Sequence, residues 1–185
     1  MTPAEQHAYD AERFAALTEG ASAGDWSRPS PVADWSARDV VGHLVEWLPP
    51  FVSRAGVTLT DVPVEDDPVA AWRTRADEIQ QVLEKRGDDV FASPMFGEMP
   101  LSRAIDQFYT NDVWMHSWDL ARALGVDFDL GEERCERALT AMQPMDEVLR
   151  SSGQFGPQVP VPSDAPAQDR LVGFIGRDPY WRPQG

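Results

Sequence analysis

Ser36-Ala37-Arg38-Asp39-Val40-Val41-Gly42-His43-Leu44-Val45-Glu46-Trp47-Leu48-Pro49-Pro50-Phe51 holds the clearest helix start in this chain. Ser36 reads as an N-cap and Asp39 as the acidic residue three positions on, a variant of the capping box. Trp35 and Val40 are spaced for the hydrophobic staple that often accompanies it. Val40, Leu44, Trp47, Leu48 and Phe51 then recur at helical spacing. Pro49-Pro50 should end or kink the helix, because proline has no amide donor and clashes with the preceding turn. One residue on the apolar stripe is out of character, and it is His43.

Working outward, the same logic predicts further helices. A first runs over 3–18, opened by Pro3, with Tyr9, Phe14 and Leu17 facing inward. The loop from Gly20 to Pro31 follows, anchored by Trp26. A third helix covers 68–86, with Val69, Trp72, Ala76, Ile79, Val82 and Leu83 inward and Gly87 as its stop. Residues 88–100 read as a connection, with Phe91, Met95 and Phe96 available to pack. A fourth helix covers 101–124 and stops at Gly125. At 100° per residue Leu101, Ile105, Phe108, Asp112, His116, Asp119 and Ala123 share one face of it. A fifth helix covers 131–151, showing Cys135, Leu139, Met142, Val148 and Leu149, with a break at Pro144. The proline-rich tail from Phe155 reads as an extended strap through Pro162, then a short helix over 168–175 stopped by Gly176. Its Leu171, Val172, Phe174 and Ile175 should pack it back on the body. The expectation from these patterns is an all-α helical bundle that ends in a proline-rich C-terminal strap. It forms a single domain over 1–185, with the bundle in 1–154 and the strap and short helix in 155–185.

The chain has 185 residues, 42% of them hydrophobic, enough for a sizeable core. A net charge of -15 repels phosphate backbones and argues against nucleic acid as a partner. No apolar run approaches the ~20 residues that span a bilayer. The opening Met1-Thr2-Pro3-Ala4-Glu5-Gln6-His7 has neither a basic nor an apolar leader segment, so a cytoplasmic protein is expected. The single cysteine, Cys135, excludes an internal disulfide and reads as a small core hydrophobe.

With three histidines in the chain, two on apolar stripes are informative. Asp112 and His116 are four apart and point the same way from adjacent turns. With His43 from another helix they make a mixed nitrogen and oxygen donor set of three, which leaves positions for water or substrate. Such a set suits Zn²⁺, Fe²⁺, Ni²⁺ or Mn²⁺, zinc first. The plainer reading of the same residues is a pair of core histidines held by hydrogen bonds. Asp119 is expected either to accept the spare imidazole N–H of His116 or to pair with Arg122 or Arg103. Glu46 offers a fourth ligand or a general base, or a solvated edge. His7 reads as a surface residue, and Trp47, Trp114 and Trp118 as pocket lining or core.

Three stretches carry a family resemblance. Pro29-Ser30-Pro31 with Asp34-Trp35-Ser36-Ala37-Arg38-Asp39-Val40-Val41-Gly42-His43-Leu44 resembles the second-helix signature of actinobacterial DinB-like metal-binding proteins. These are related to the N-terminal domain of mycothiol-dependent maleylpyruvate isomerase. His116-Ser117-Trp118-Asp119-Leu120-Ala121-Arg122-Ala123 resembles that family's fourth-helix motif. Phe155-Gly156-Pro157-Gln158-Val159-Pro160-Val161-Pro162, Asp169-Arg170-Leu171 and Gly176-Arg177-Asp178-Pro179 resemble its C-terminal signature. The resemblance implies an up-and-down four-helix bundle with an additional helix, and metal ligands at His43, Asp112 and His116, where relatives often carry Glu or His in place of Asp112. It implies transfer or isomerisation of a small-molecule substrate assisted by a low-molecular-weight thiol, mycothiol. The residues themselves suggest that Asp119 tunes the ligands and that Arg103 or Arg122 holds a substrate carboxylate. It also implies pairing into a homodimer through helices. The alternative is a non-catalytic metal-binding or degenerate small-molecule-binding bundle.

Overall fold

The computed structural model describes residues 1–93, 97–151, 153 and 155–183. Among them the chain is mostly helical, and no helix is long and apolar enough to cross a membrane. The expected all-α class is corrected by one antiparallel hairpin, β1 (Val90–Ser93) and β2 (Gly97–Pro100), with Val90 opposite Pro100. It falls in the stretch read as a connection. Only Phe91 of β1 is buried, its ring 4.6 Å from that of Phe51, so the two-residue period is too short to read. Met95 and Phe96, expected to pack there, lie outside the described residues.

Three helices start on side-chain caps. α1 (Pro3–Gly20) has a capping box between Thr2 and Glu5, and α2 (Ala37–Glu46) has the expected one between Ser36 and Asp39. α4 (Pro68–Arg86) is capped by Asp67, which accepts from the Val69 and Ala70 amides. Between them, α2 ends at Glu46 and a short α3 (Leu48–Val52) carries the two prolines. Pro49 cannot donate to the Val45 carbonyl one turn back. That carbonyl accepts instead from Nε of buried Arg75 at 3.1 Å. The proline that stops α2 thus ties it to α4.

The predicted fourth helix is interrupted. α5 (Leu101–Ala104) passes into a π-helical segment, Ile105–Thr110, and then into α6 (Asn111–Leu124), closed by Gly125. A π turn holds more residues than an α turn, so the face advances by a position. Tyr109 is therefore fully buried, while Phe108, expected inward, is only partly so. α1 departs as well. His7, expected at the surface, is 1% exposed, and Tyr9, expected inside, is 51% exposed beside Arg13. The inward stripe of α1 is His7, Ala11, Phe14, Ala15 and Thr18, one turn-phase away from the aromatic that suggested otherwise.

α1 packs on α4 and α6, and α2 packs on α6 and α4. Between them lies the larger apolar cluster, with Phe14, Leu44, Trp72, Ile79 and Ile105 at its centre. A second cluster lies on another face of α6. The expected fifth helix divides at Pro144 into α7 (Glu132–Met142), a 3₁₀ turn (Gln143–Met145) and α8 (Asp146–Ser151). Val148, expected inward, is 57% exposed as a result of that break. The strap returns to α9 (Ala167–Phe174), which packs on α7. Trp114 and Trp118 meet Cys135, Leu139, Leu171 and Phe174 here. Gly173 lets α9 touch the strap, since a β-carbon there would collide with Val161 and the Val159 carbonyl.

Candidate metal centre

His43 leaves the last turn of α2 and Asp112 and His116 leave successive turns of α6, where the two helices pack. One donor atom from each lies within 4.8 Å of the others. His43 Nε2 is 3.0 Å from Asp112 Oδ2, and His116 Nε2 is 3.5 Å from Asp112 Oδ1. Asp112 thus spans both imidazoles, one oxygen to each, despite its short side chain. His43 and Asp112 are 30% and 21% exposed and His116 only 8%, so the cluster opens to solvent on the His43 side.

Asp112 and His116 are each held from behind. The Trp47 indole N–H donates to Asp112 Oδ2 at 3.1 Å. His116 Nδ1 is 2.9 Å from Oδ2 of Asp119, which is fully buried. A carboxylate only accepts, so the proton of that bond is on Nδ1, and in the neutral ring the Nε2 lone pair faces the cluster. Trp35 lies over both imidazoles, its ring 5.8 Å from His116 and nearly parallel, and 5.0 Å from His43. It reaches them from a turn in which Asp34 takes φ +65° and the Trp35 amide donates to the Val32 carbonyl.

Burial works against the charge of Asp112, but the positive charge of His116, the hydrogen bond and charge of His43 and the Trp47 indole together hold its carboxyl below the usual range. Burial likewise disfavours charge on His116, and Asp112 and Asp119 outweigh it, raising its pKa. Asp119 is held low against burial by the Arg177 charge and by His116. Negative potential therefore collects where three donor atoms meet. His116 Nε2 and Asp112 Oδ1 are both acceptors once Nδ1 holds the ring proton, and only a second proton or a cation relieves their apposition. The donor set and its geometry fit a divalent ion.

A family model described as the mycothiol maleylpyruvate isomerase N-terminal domain matches residues 9–90, a span that contains α2 and His43. Two relatives match nearly the whole chain. The uncharacterized proteins MT0763 and Rv0738, from two strains of Mycobacterium tuberculosis, are each 30% identical over 182 residues, covering 96% of this chain and 98% of theirs. The chain belongs to the mycothiol maleylpyruvate isomerase N-terminal domain family. No solved structure matches it significantly.

In this family member the other candidates lie elsewhere. Glu46 is exposed and outside the cluster, on the wall of a groove with Val45, Pro49, Leu59 and Arg75. Three residues beyond His43 turns its side chain about 60° off the His43 direction, toward α4. Arg122 pairs with Asp127 and lies over Trp118, and Arg103 is exposed, so neither is the partner of Asp119. Trp47 is at the cluster, whereas Trp114 and Trp118 belong to the second apolar cluster. Cys135 is buried there, which pushes its thiol up to about 12 and makes it a poor nucleophile. Two residues at the site had no sequence signal as site residues. In the sequence Trp35 stands out as a staple and within the second-helix signature, and Arg177 within the C-terminal signature.

Proposed function

We propose that His43, Asp112 and His116 hold one divalent metal ion, zinc first, and that the chain is a thiol-dependent transferase or isomerase acting on a small molecule. The observation that carries the metal is the meeting within 4.8 Å of one donor atom each from His43, Asp112 and His116, with His116 backed by Asp119. Family membership supports the thiol, mycothiol, and the packing of α1, α2, α4 and α6 supports a DinB-like up-and-down four-helix bundle.

The chemistry a divalent ion supplies in such a centre is Lewis acidity, which lowers the pKa of a thiol or water so that it attacks at neutral pH. The chain's own residues do the rest. Trp47 fixes one oxygen of Asp112 and leaves the other toward His116. Asp119 fixes the tautomer of His116. Trp35 shields the imidazoles from water on its side, which leaves the solvent-exposed side of His43 and Asp112 as the approach for thiol and substrate.

Elemental analysis of untagged protein beside His43→Ala and His116→Ala tests the centre. Near-stoichiometric metal that disappears in both variants is expected. No metal in the wild type, even after reconstitution with zinc, nickel, iron or manganese, would overturn the reading and leave a metal-free helical binder. Metal-replete protein whose turnover of electrophiles never depends on mycothiol or another thiol would overturn the catalytic half alone.

A further inference from the structure

We propose that Arg177 is a positioning residue for the metal centre, acting through Asp119 on His116. The inference rests on the reading of His43, Asp112 and His116 as metal ligands. Asp119 is a fully buried carboxylate whose Oδ2 is needed at His116 Nδ1. A carboxylate held by one hydrogen bond can still rotate about its own axis, and the ring it holds can swing with it. The Arg177 guanidinium removes that freedom. Its Nε lies 3.4 Å from Oδ1 and its Nη2 3.3 Å from Oδ2, so two prongs set the carboxylate plane. The third nitrogen, Nη1, donates to the Ile175 carbonyl at 3.1 Å, which fixes the guanidinium itself.

The tail is shaped to deliver this one side chain. Gly176 takes φ +91° immediately before Arg177, and its position packs against the backbone of Gly156, where a β-carbon would come within 3.0 Å. The Arg177 amide donates back to the Val172 carbonyl, and the Val159 amide of the strap donates to the Gly173 carbonyl. Strap, α9 and the turn after it are locked together before Arg177 leaves them. Its side chain is 11% exposed and crosses 58 residues of sequence to reach Asp119. The C-terminal tail thus completes the line Arg177, Asp119, His116.

The test uses the full-length protein, stripped of metal and titrated with Co²⁺ against a chelating indicator, with the Co²⁺ visible spectrum as a second readout. Arg177→Ala is expected to weaken Co²⁺ binding by about 10–100-fold, the usual cost of losing a partner behind a ligand, and to shift the visible bands. Arg170→Ala is the tail control. Arg170 joins the tail to Glu136 of α7 and to the Ala165 carbonyl and makes no contact with Asp119. It should lower thermal stability while leaving affinity and spectrum unchanged. Should Arg177→Ala not fold, Arg177→Lys decides the matter, because it keeps charge and stem but loses the two-pronged geometry. Wild-type affinity and spectrum in the Arg177 variants, or an equal change in Arg170→Ala, would overturn the proposal and leave Arg177 as a tail fastener. Wild-type protein that binds no Co²⁺ would overturn the metal reading first, and this inference with it.

Discussion

Around the larger apolar cluster α1, α2 and α4 start on their own sequence, whereas α7 and α9 around the smaller one start without side-chain caps of their own. Thr2, Ser36 and Asp67 cap α1, α2 and α4 from the adjoining residue. α7 begins after Gly131 and α9 after Pro166, neither with a side-chain cap of its own. The first amide of α9 is held by Glu132 of α7, and the Leu130 amide by Gln168 of α9. The first region is written locally and the second is assembled by docking. The candidate metal centre draws on both. Its ligands stand on α2 and α6, while the arginine behind Asp119 arrives with the docked tail.

The strongest way to break this contrast is to open a cavity in each cluster. Trp72 is fully buried and donates its indole N–H to the Ala11 carbonyl, so Trp72→Ala should cost about 3–5 kcal/mol. Leu171 is equally buried in the second cluster, and Leu171→Ala should cost about 2–5 kcal/mol. Urea titration measures both. At a temperature where both variants remain folded, Leu171→Ala should also weaken Co²⁺ binding, because it loosens the tail that carries Arg177. Trp72→Ala should not. Equal effects on the metal would show that the two regions do not divide the work in this way.

A smaller effect sharpens the contrast between the buried histidines. Burial lowers the pKa of His7, against the opposing Gln80 hydrogen bond and the charge of Asp10. Unfolding then takes up a proton, so His7 costs stability as pH falls below its unfolded value near 6.5 and through its lowered folded value. In metal-free protein His116 has the opposite sign. Its pKa is raised in the fold, so it adds stability that is full below 6.5 and lost as pH rises through the raised value. Asp112 and Asp119, both held low, add stability above the ordinary carboxylate value of 3.8 that is lost as pH falls through their lowered ones. The His7→Gln variant, metal-free, should therefore lose less stability than the wild type between pH 7 and pH 5, read from urea midpoints. A wild-type slope in that variant would mean that His7 is not buried neutral.

Local encoding also explains what was legible in advance. The Ser36 box, the stop at Pro49-Pro50, the span of α4 and the end of α6 at Gly125 are each set by residues within a turn of the event. His43, Asp112 and His116 could be singled out because polar groups on apolar stripes stand out against a regular period. The rest depends on residues far apart in the chain. Nothing near Ile105 announces a π segment, which shifts the buried position from Phe108 to Tyr109. His7 is inward because α4 presents Gln80 to it. Arg177 finds Asp119 only once the strap and α9 have docked.

The smallest effects fall on the caps themselves. Ser36→Ala removes the acceptor for the Asp39 amide and the hydroxyl that bonds Asp39, and should cost about 1 kcal/mol. Glu132→Gln keeps an oxygen that can still accept from the Ala167 amide, so it should cost less than Ser36→Ala. Neither change should alter Co²⁺ affinity in folded protein, since neither touches a ligand or its support. If Glu132→Gln proves as costly as Ser36→Ala, the charge of Glu132 at the start of α9 is what holds the helix in place. The docked region would then depend on one electrostatic contact rather than on the apolar area of α9.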